Sequence, residues 1–140
     1  MRVAYFDSSA IVKLVHLEPE SQALIDYLGD PEIEASTSVL AEVEVLRALR
    51  RLRAAGSEAT EAMRGFFLLN LDAGIREDAG QLGAATLRSL DAIHLATALS
   101  IDDEVEFITY DERLAAAARE HRLRVVQPGR ASTTSFVPGV

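Results

Sequence analysis

Short apolar runs alternate along this chain with longer segments in which apolar positions recur every three or four residues. That alternation predicts strands separated by helices. Val3-Ala4-Tyr5-Phe6 is apolar throughout, as a strand buried on both faces should be. Helical periodicity follows from Ser8 to Leu17, breaks at Glu18-Pro19 and resumes from Glu20 to Leu28, where Gly29-Asp30-Pro31 predicts a turn. Ile33 to Ser36 predicts the second strand. A long helix is expected from Val39 to Ala55, stopped by Gly56, and Ser57 is placed to cap a further helix reaching Phe67.

Leu68 to Leu71 predicts a third strand, and Ile75 to Leu87 a weaker helix diluted by Gly80 and Gly83. Ser89 is expected to cap a helix from Leu90 to Ser100. A strand at Val105–Thr109, a helix at Glu112–His121 and a last strand at Arg124–Val126 complete the pattern. Strands separated by helices predict a three-layer α/β/α fold around a central parallel sheet. We expect one domain over residues 1–129 and a surface arm over 130–140.

Composition changes this picture little. Hydrophobic residues make up 49% of the 140, enough for a real core. No apolar run approaches the roughly 18 residues of a membrane span, and Met1-Arg2-Val3 enters a strand pattern directly, unlike a signal peptide. The absence of cysteine excludes disulfides and thiolate metal sites and agrees with a cytoplasmic location. Charge matters more. With 14 Lys+Arg against 22 Asp+Glu the net charge is −8, an overall field that opposes non-specific nucleic-acid binding. The basic residues are clustered, however, at Arg47, Arg50, Arg51 and Arg53.

Candidate chemistry comes from the acids. Asp7 directly follows the first strand and Asp111 directly follows Val105–Tyr110. In a parallel sheet, residues just past strand ends share one edge, where such folds bind ligands. Asp91 and Glu44 lie near the starts of helices able to reach that edge. Each has an ordinary explanation. Asp7 and Asp111 are well placed as helix N-caps, Asp91 suits a first helical turn, and Glu44 could pair with Arg47 or Arg51. Asp91 fits its ordinary role least well, because Leu90–Leu99 is apolar almost all round and a carboxylate there needs cations or donors. His94, one turn on, could hydrogen-bond the site, although a satisfied core histidine is the commoner arrangement. Glu42 and Glu44 point about 200° apart on a helix, so only one can face the cleft, and helix geometry leaves both open. No phosphate loop, zinc-protease motif or nucleophile elbow is present.

Asp7-Ser8-Ser9-Ala10, the helix Ser38–Arg51, Leu90–Ala98 and Thr109-Tyr110-Asp111 together resemble the PIN-domain ribonucleases, in particular the VapC toxins of bacterial toxin–antitoxin pairs. The resemblance spans Val3 to Gly129. It implies a metal-dependent endoribonuclease whose acidic site is Asp7, Glu44, Asp91 and Asp111, and it selects Glu44 over Glu42. Ser8 matches a position where the family usually has a hydroxyl residue. His121-Arg122-Leu123 departs from the family, which often has glycine near the end of the last helix.

The expected reaction is hydrolysis of RNA phosphodiester bonds with Mg²⁺ or Mn²⁺ held by Asp7, Asp91, Glu44 and Asp111. Ser8, Arg47 and Arg51 are candidate RNA contacts. The resemblance further implies a small antitoxin partner and a homodimer. Two rival readings are a Mg²⁺-binding phosphoacceptor domain and a catalytically silent module of the same fold. The phosphoacceptor reading lacks an acid pair after the first strand, and its partner lysine would have to be Lys13, the chain's only one.

Overall fold

The computed structural model describes residues 2–54 and 56–130. Five strands, β1 (Arg2–Phe6), β2 (Ile33–Ser38), β3 (Phe67–Leu69), β4 (Val105–Ile108) and β5 (Arg124–Val126), form one sheet in the order β3-β2-β1-β4-β5. All its pairings are parallel. Seven helices connect and cover them: α1 (Ser8–Val15), α2 (Ser21–Leu28), α3 (Leu40–Arg51), α4 (Gly56–Met63), α5 (Ala73–Gln81), α6 (Ser89–Leu99) and α7 (Glu112–Glu120). The three-layer α/β/α architecture expected from the pattern is the one observed.

Side chains alternate across a strand, and both faces of β1 are buried. Ala4 and Phe6 point into a core shared with Ile11, Leu24, Val45 and Leu49 from α1, α2 and α3. Val3 and Tyr5 point into a second core with Leu95 of α6, Phe107 of β4 and Leu114 of α7. Fully buried rings such as Phe6 and Phe107 are the side chains whose truncation to alanine costs most, about 3–5 kcal/mol. One acid lies among them. Glu106, 2% exposed, shares the Phe6 face and is held by the Tyr27 hydroxyl, by Arg124 at 3.2 Å and by Arg2 at 3.4 Å.

Several boundaries differ from expectation. Helix α3 stops at Arg51, four residues early, because Arg53 adopts a left-handed φ of 57°. Arg53 N–H then bonds the Arg50 carbonyl (3.1 Å) and Ala54 N–H the Leu49 carbonyl (2.8 Å), which closes the helix without glycine. Gly56 therefore opens α4 rather than ending α3. Asp72, not a residue near Ile75, starts α5: its side chain accepts from Ile75 N–H at 2.8 Å. Ser89 is the first residue of α6 and not its cap; Arg88 holds the cap position and makes no side-chain capping bond. The arm expected over 130–140 lies outside the described residues except for Arg130.

Helix α7 ends in the same way as α3, with Arg122 at φ 64° and Leu123 N–H on the Ala118 carbonyl at 3.0 Å. Arg122 thus occupies the left-handed turn of the His121-Arg122-Leu123 stretch, which carries no glycine. A left-handed non-glycine residue costs about 1–2 kcal/mol, part of which glycine's own chain entropy returns. Arg122→Gly should therefore raise the urea midpoint by the equivalent of about 0.5–1 kcal/mol with an unchanged slope. Gly129→Ala should do the reverse, since Gly129 has φ 88° and an added Cβ would meet Ala23 and the Glu20 backbone at 3.1 Å.

Candidate active site

Strand register builds the site's floor. Phe6 pairs with Ile108 across β1 and β4, so the next residues, Asp7 and Thr109, leave the sheet side by side. Thr109 donates its hydroxyl to Asp7 Oδ2 at 2.7 Å, and Asp7 N–H bonds the Ile108 carbonyl at 3.2 Å. Asp7 is also the N-cap of α1, accepting from Ala10 N–H at 2.9 Å, while Ser9 donates to both carboxylate oxygens. It is only 5% exposed. Burial pushes its carboxyl above the usual range, and the bonds from Thr109 and Ala10 offset that only in part.

Glu44 enters from α3 and is half-buried. Its Oε1 accepts from Ser8 Oγ at 2.6 Å and meets His94 Nε2 at 2.7 Å. Burial alone would raise this carboxyl, but the hydrogen bond and charge of His94, with help from Ser8, hold it below the usual range. Glu42 is exposed on the other side of the helix, among Leu46, Thr60, Met63 and Arg64. His94, 1% exposed, reaches Tyr5 OH with Nδ1 at 2.7 Å and lies 3.2 Å from Ser8 Oγ through Nε2. It is a core residue that also touches the site, a combination the periodicity of α6 does not reveal.

Asp91, in the first turn of α6, and Asp111, the N-cap of α7, line a groove of about 770 Å³ with Arg88, Arg113, Glu112 and Glu120 on its walls. Asp111 Oδ1 accepts from Arg113 N–H (2.9 Å) and Leu114 N–H (3.0 Å). Asp91 accepts no hydrogen bond from any described residue. Burial pushes its carboxyl up, and the charges of Asp111 and Asp7 push it further, against a smaller pull from His94 and Arg88. Asp91 thus feels the charges of both Asp111 and Asp7, while Glu44 is joined to Asp7's neighbour Ser8 and to His94.

The donor set is all oxygen, which suits a hard cation. Asp91 offers both carboxylate oxygens, and Glu44 Oε2 and Asp111 Oδ2 accept nothing from the described residues. Among those residues, however, no three of His, Cys, Asp or Glu stand close enough to chelate one ion together. The fit is therefore to an ion such as Mg²⁺, which keeps several waters and takes one or two carboxylates. Arg47 and Arg51 occupy a separate recess with Arg50 on the exposed face of α3, which none of the four acids lines.

The sequence profile of the PIN domain matches residues 4–120. The chain belongs to the PIN-domain family. Ribonuclease VapC35 of Mycobacterium tuberculosis is 43% identical over 132 residues, covering 91% of this chain and 98% of that protein. Ribonuclease VapC46 of the same species is 42% identical, covering 91% and 99%. Among solved structures, VapBC2 from Rickettsia felis bound to a promoter DNA fragment superposes with a TM-score of 0.69 at 9% identity, covering 90% of this chain and 98% of that one. The Mycobacterium tuberculosis VapC20 structure, titled as a Sarcin-Ricin loop cleaving toxin, gives 0.67 at 15%, covering 81% and 94%. At those identities the structures speak for the PIN fold alone.

Sequence reasoning passed over Arg88, Arg113, Tyr5 and the Thr109 hydroxyl. Thr109 was visible as the strand-end hydroxyl two residues before Asp111; the others carry no local signal. Within this PIN-domain site, Asp91 is held against like charge and accepts no hydrogen bond from the described residues. Its carboxyl sits higher folded than unfolded, so its contribution favours the fold at acid pH and turns against it as pH rises above the unfolded value of about 4. In chelator at pH 7, Asp91→Asn should melt about 3–5 °C above the parent, the scale of a 1 kcal/mol change. That gain should vanish near pH 3. Glu44→Gln should instead melt lower at pH 7, since its depressed carboxyl contributes stability that is lost only as pH falls.

Proposed function

We propose that this protein is a metal-dependent endoribonuclease that hydrolyses RNA phosphodiester bonds and serves as the toxin of a type II toxin–antitoxin pair. The observation that carries the metal requirement is Asp91, half-buried beside Asp111 and Asp7 and accepting no hydrogen bond from the described residues. A divalent cation would turn that repulsion into binding. Family membership, with relatives named ribonucleases at 42–43% identity, supports RNA as the substrate.

Of Asp7, Glu44, Asp91 and Asp111, one or two, Asp91 foremost, would hold Mg²⁺ or Mn²⁺ directly, and the others would reach it through its waters. When bound, the cation supplies Lewis acidity toward the attacking water and the phosphate oxygens. The chain's own side chains do the rest. Asp7, immobilised by Ser9, Ala10 and Thr109, fixes one wall of the cleft. Glu44 orients the attacking water through the oxygen that Ser8 and His94 leave free. Arg88 and Arg113 have no ion-pair partner among the described residues and flank the groove at Asp91 and Asp111, so they are placed to hold RNA phosphates on either side of the cleavage point. Arg47 and Arg51 would extend that contact along α3.

The phosphoacceptor reading loses its lysine. Lys13 pairs with Glu18 and, at 3.3 Å, with Glu20, and its Nζ lies 4.8 Å from the centre of the Tyr110 ring. It is committed to those partners and not to the acids. For partners, a small antitoxin covering the acidic cleft with basic residues suits the net charge of −8, and the toxin itself would act as a homodimer.

Purified protein should cleave total cellular RNA with Mg²⁺ or Mn²⁺ and not in chelator. Asp91→Asn should lose more than about 100-fold of that activity, beyond what loss of a merely supporting residue causes. Metal-independent cleavage, or an unaffected Asp91→Asn, would overturn the assignment. Expression alone should arrest growth, with relief by the protein encoded beside it. For RNA binding to Asp91→Asn with Mg²⁺, removing Arg88 or Arg113 should each lower the log–log salt slope by about 0.7, one phosphate's share. An unchanged slope would exclude the two arginines from the RNA path.

A further inference from the structure

The hydrogen bonds of His94 run from one core of the protein into the acidic site, and each has a defined direction. Glu44 stays ionised, so a bare ring nitrogen 2.7 Å from its Oε1 would be repelled; Nε2 must carry a proton and donate it. Ser8 Oγ gives its own proton to the same oxygen and can only accept from Nε2. At the far side of the ring, Nδ1 lies 2.7 Å from Tyr5 OH. A neutral ring with its one proton on Nε2 has a bare Nδ1, so Tyr5 OH is the donor in that bond. Burial keeps the phenol protonated far above its ordinary range. Phe107, stacked on Tyr5 at 5.6 Å and 8°, and the edge-on contact between Tyr5 and His94 at 5.8 Å hold the rings in place.

We propose that His94 is a positioning residue for RNA cleavage: Tyr5 fixes its tautomer, and its Nε2–H pins Glu44 Oε1 so that Oε2 alone is presented to the reaction. The arrangement follows the logic by which a second ring-nitrogen bond sets what the first can do. It rests on the ribonuclease reading for its kinetic consequence, but the Nε2–H bond itself does not.

Tyr5→Phe removes one hydroxyl and keeps the ring, so packing is nearly unchanged. It should lower kcat about 10-fold with KM within about two-fold, because the tautomer is freed while the RNA contacts are untouched. His94→Leu should lose about 10–100-fold in kcat. His94→Gln, whose amide N–H stands as many bonds from the backbone as Nε2, should recover most of it. Nitrogen-15 NMR of the metal-free protein gives a readout independent of activity: Nε2 should be the protonated nitrogen of His94, and Glu44→Gln should shift its resonance. A bare Nε2, or a resonance indifferent to Glu44→Gln, overturns the proposal, as does parent-like kcat in both Tyr5→Phe and His94→Leu. A parent protein that cleaves no RNA under any metal would instead overturn the ribonuclease reading, and the NMR result would still decide the bond.

Discussion

The parallel register of β1 against β4 is the constraint on which the site depends. With Phe6 opposite Ile108, both strands end at the same height, and Asp7 and Thr109 emerge as neighbours. A slip of one residue would reverse every side chain between the two cores, taking Tyr5 away from His94 and Phe6 out of its own core at once. Register is thus locked by burial on both faces, and the site inherits that rigidity. The same β1 alternation that buries Tyr5 against Phe107 sends its hydroxyl to the ring that holds Glu44.

Like charges are gathered at this edge by different means, and the differences define roles. Asp7 is buried and held by hydroxyl and backbone donors. Asp111 caps α7 with one oxygen. Glu44 is kept ionised by His94 and Ser8. Asp91 has none of these supports and pays in electrostatic repulsion. Helix N-termini at α1, α6 and α7 face the same edge, and their partial positive charge, worth a few tenths of a kcal/mol to about 1 kcal/mol each, softens the repulsion without cancelling it.

Much of this architecture was legible in the chain. Val3–Phe6 and Val105–Ile108 read as strands because short, largely apolar runs bounded by polar turns have few other solutions. The strand-end positions of Asp7 and Asp111 followed. The partners of those acids did not, since Thr109 meets Asp7 across 102 residues and Tyr5 meets His94 across 89. Local pattern carries no information on such pairs. Helix ends misled for another reason: Gly56 looked like the stop for α3, yet Arg53 takes the left-handed turn, a local cost that surrounding packing outweighs. The arginines of α3 stood out as a run, whereas Arg88 and Arg113, isolated in sequence, are the ones that flank the groove.

An acidic protein that acts on RNA must create attraction locally against its own field. The groove does so in part by pairing one of its acids away: Glu112 is taken by Arg130 at 2.9 Å, while Arg88 and Arg113 on the same walls have no ion-pair partner among the described residues. Asp91 is the counterpart on the acid side, a carboxylate that no described residue neutralises. A silent module of this fold would gain stability by replacing it, because burial and the charges of Asp111 and Asp7 outweigh the pull of His94 and Arg88 on it. Destabilising groups of this kind are typically kept where activity needs them. Asp91, in the first turn of a helix otherwise buried in apolar packing, is therefore the residue on which the proposed cation site rests.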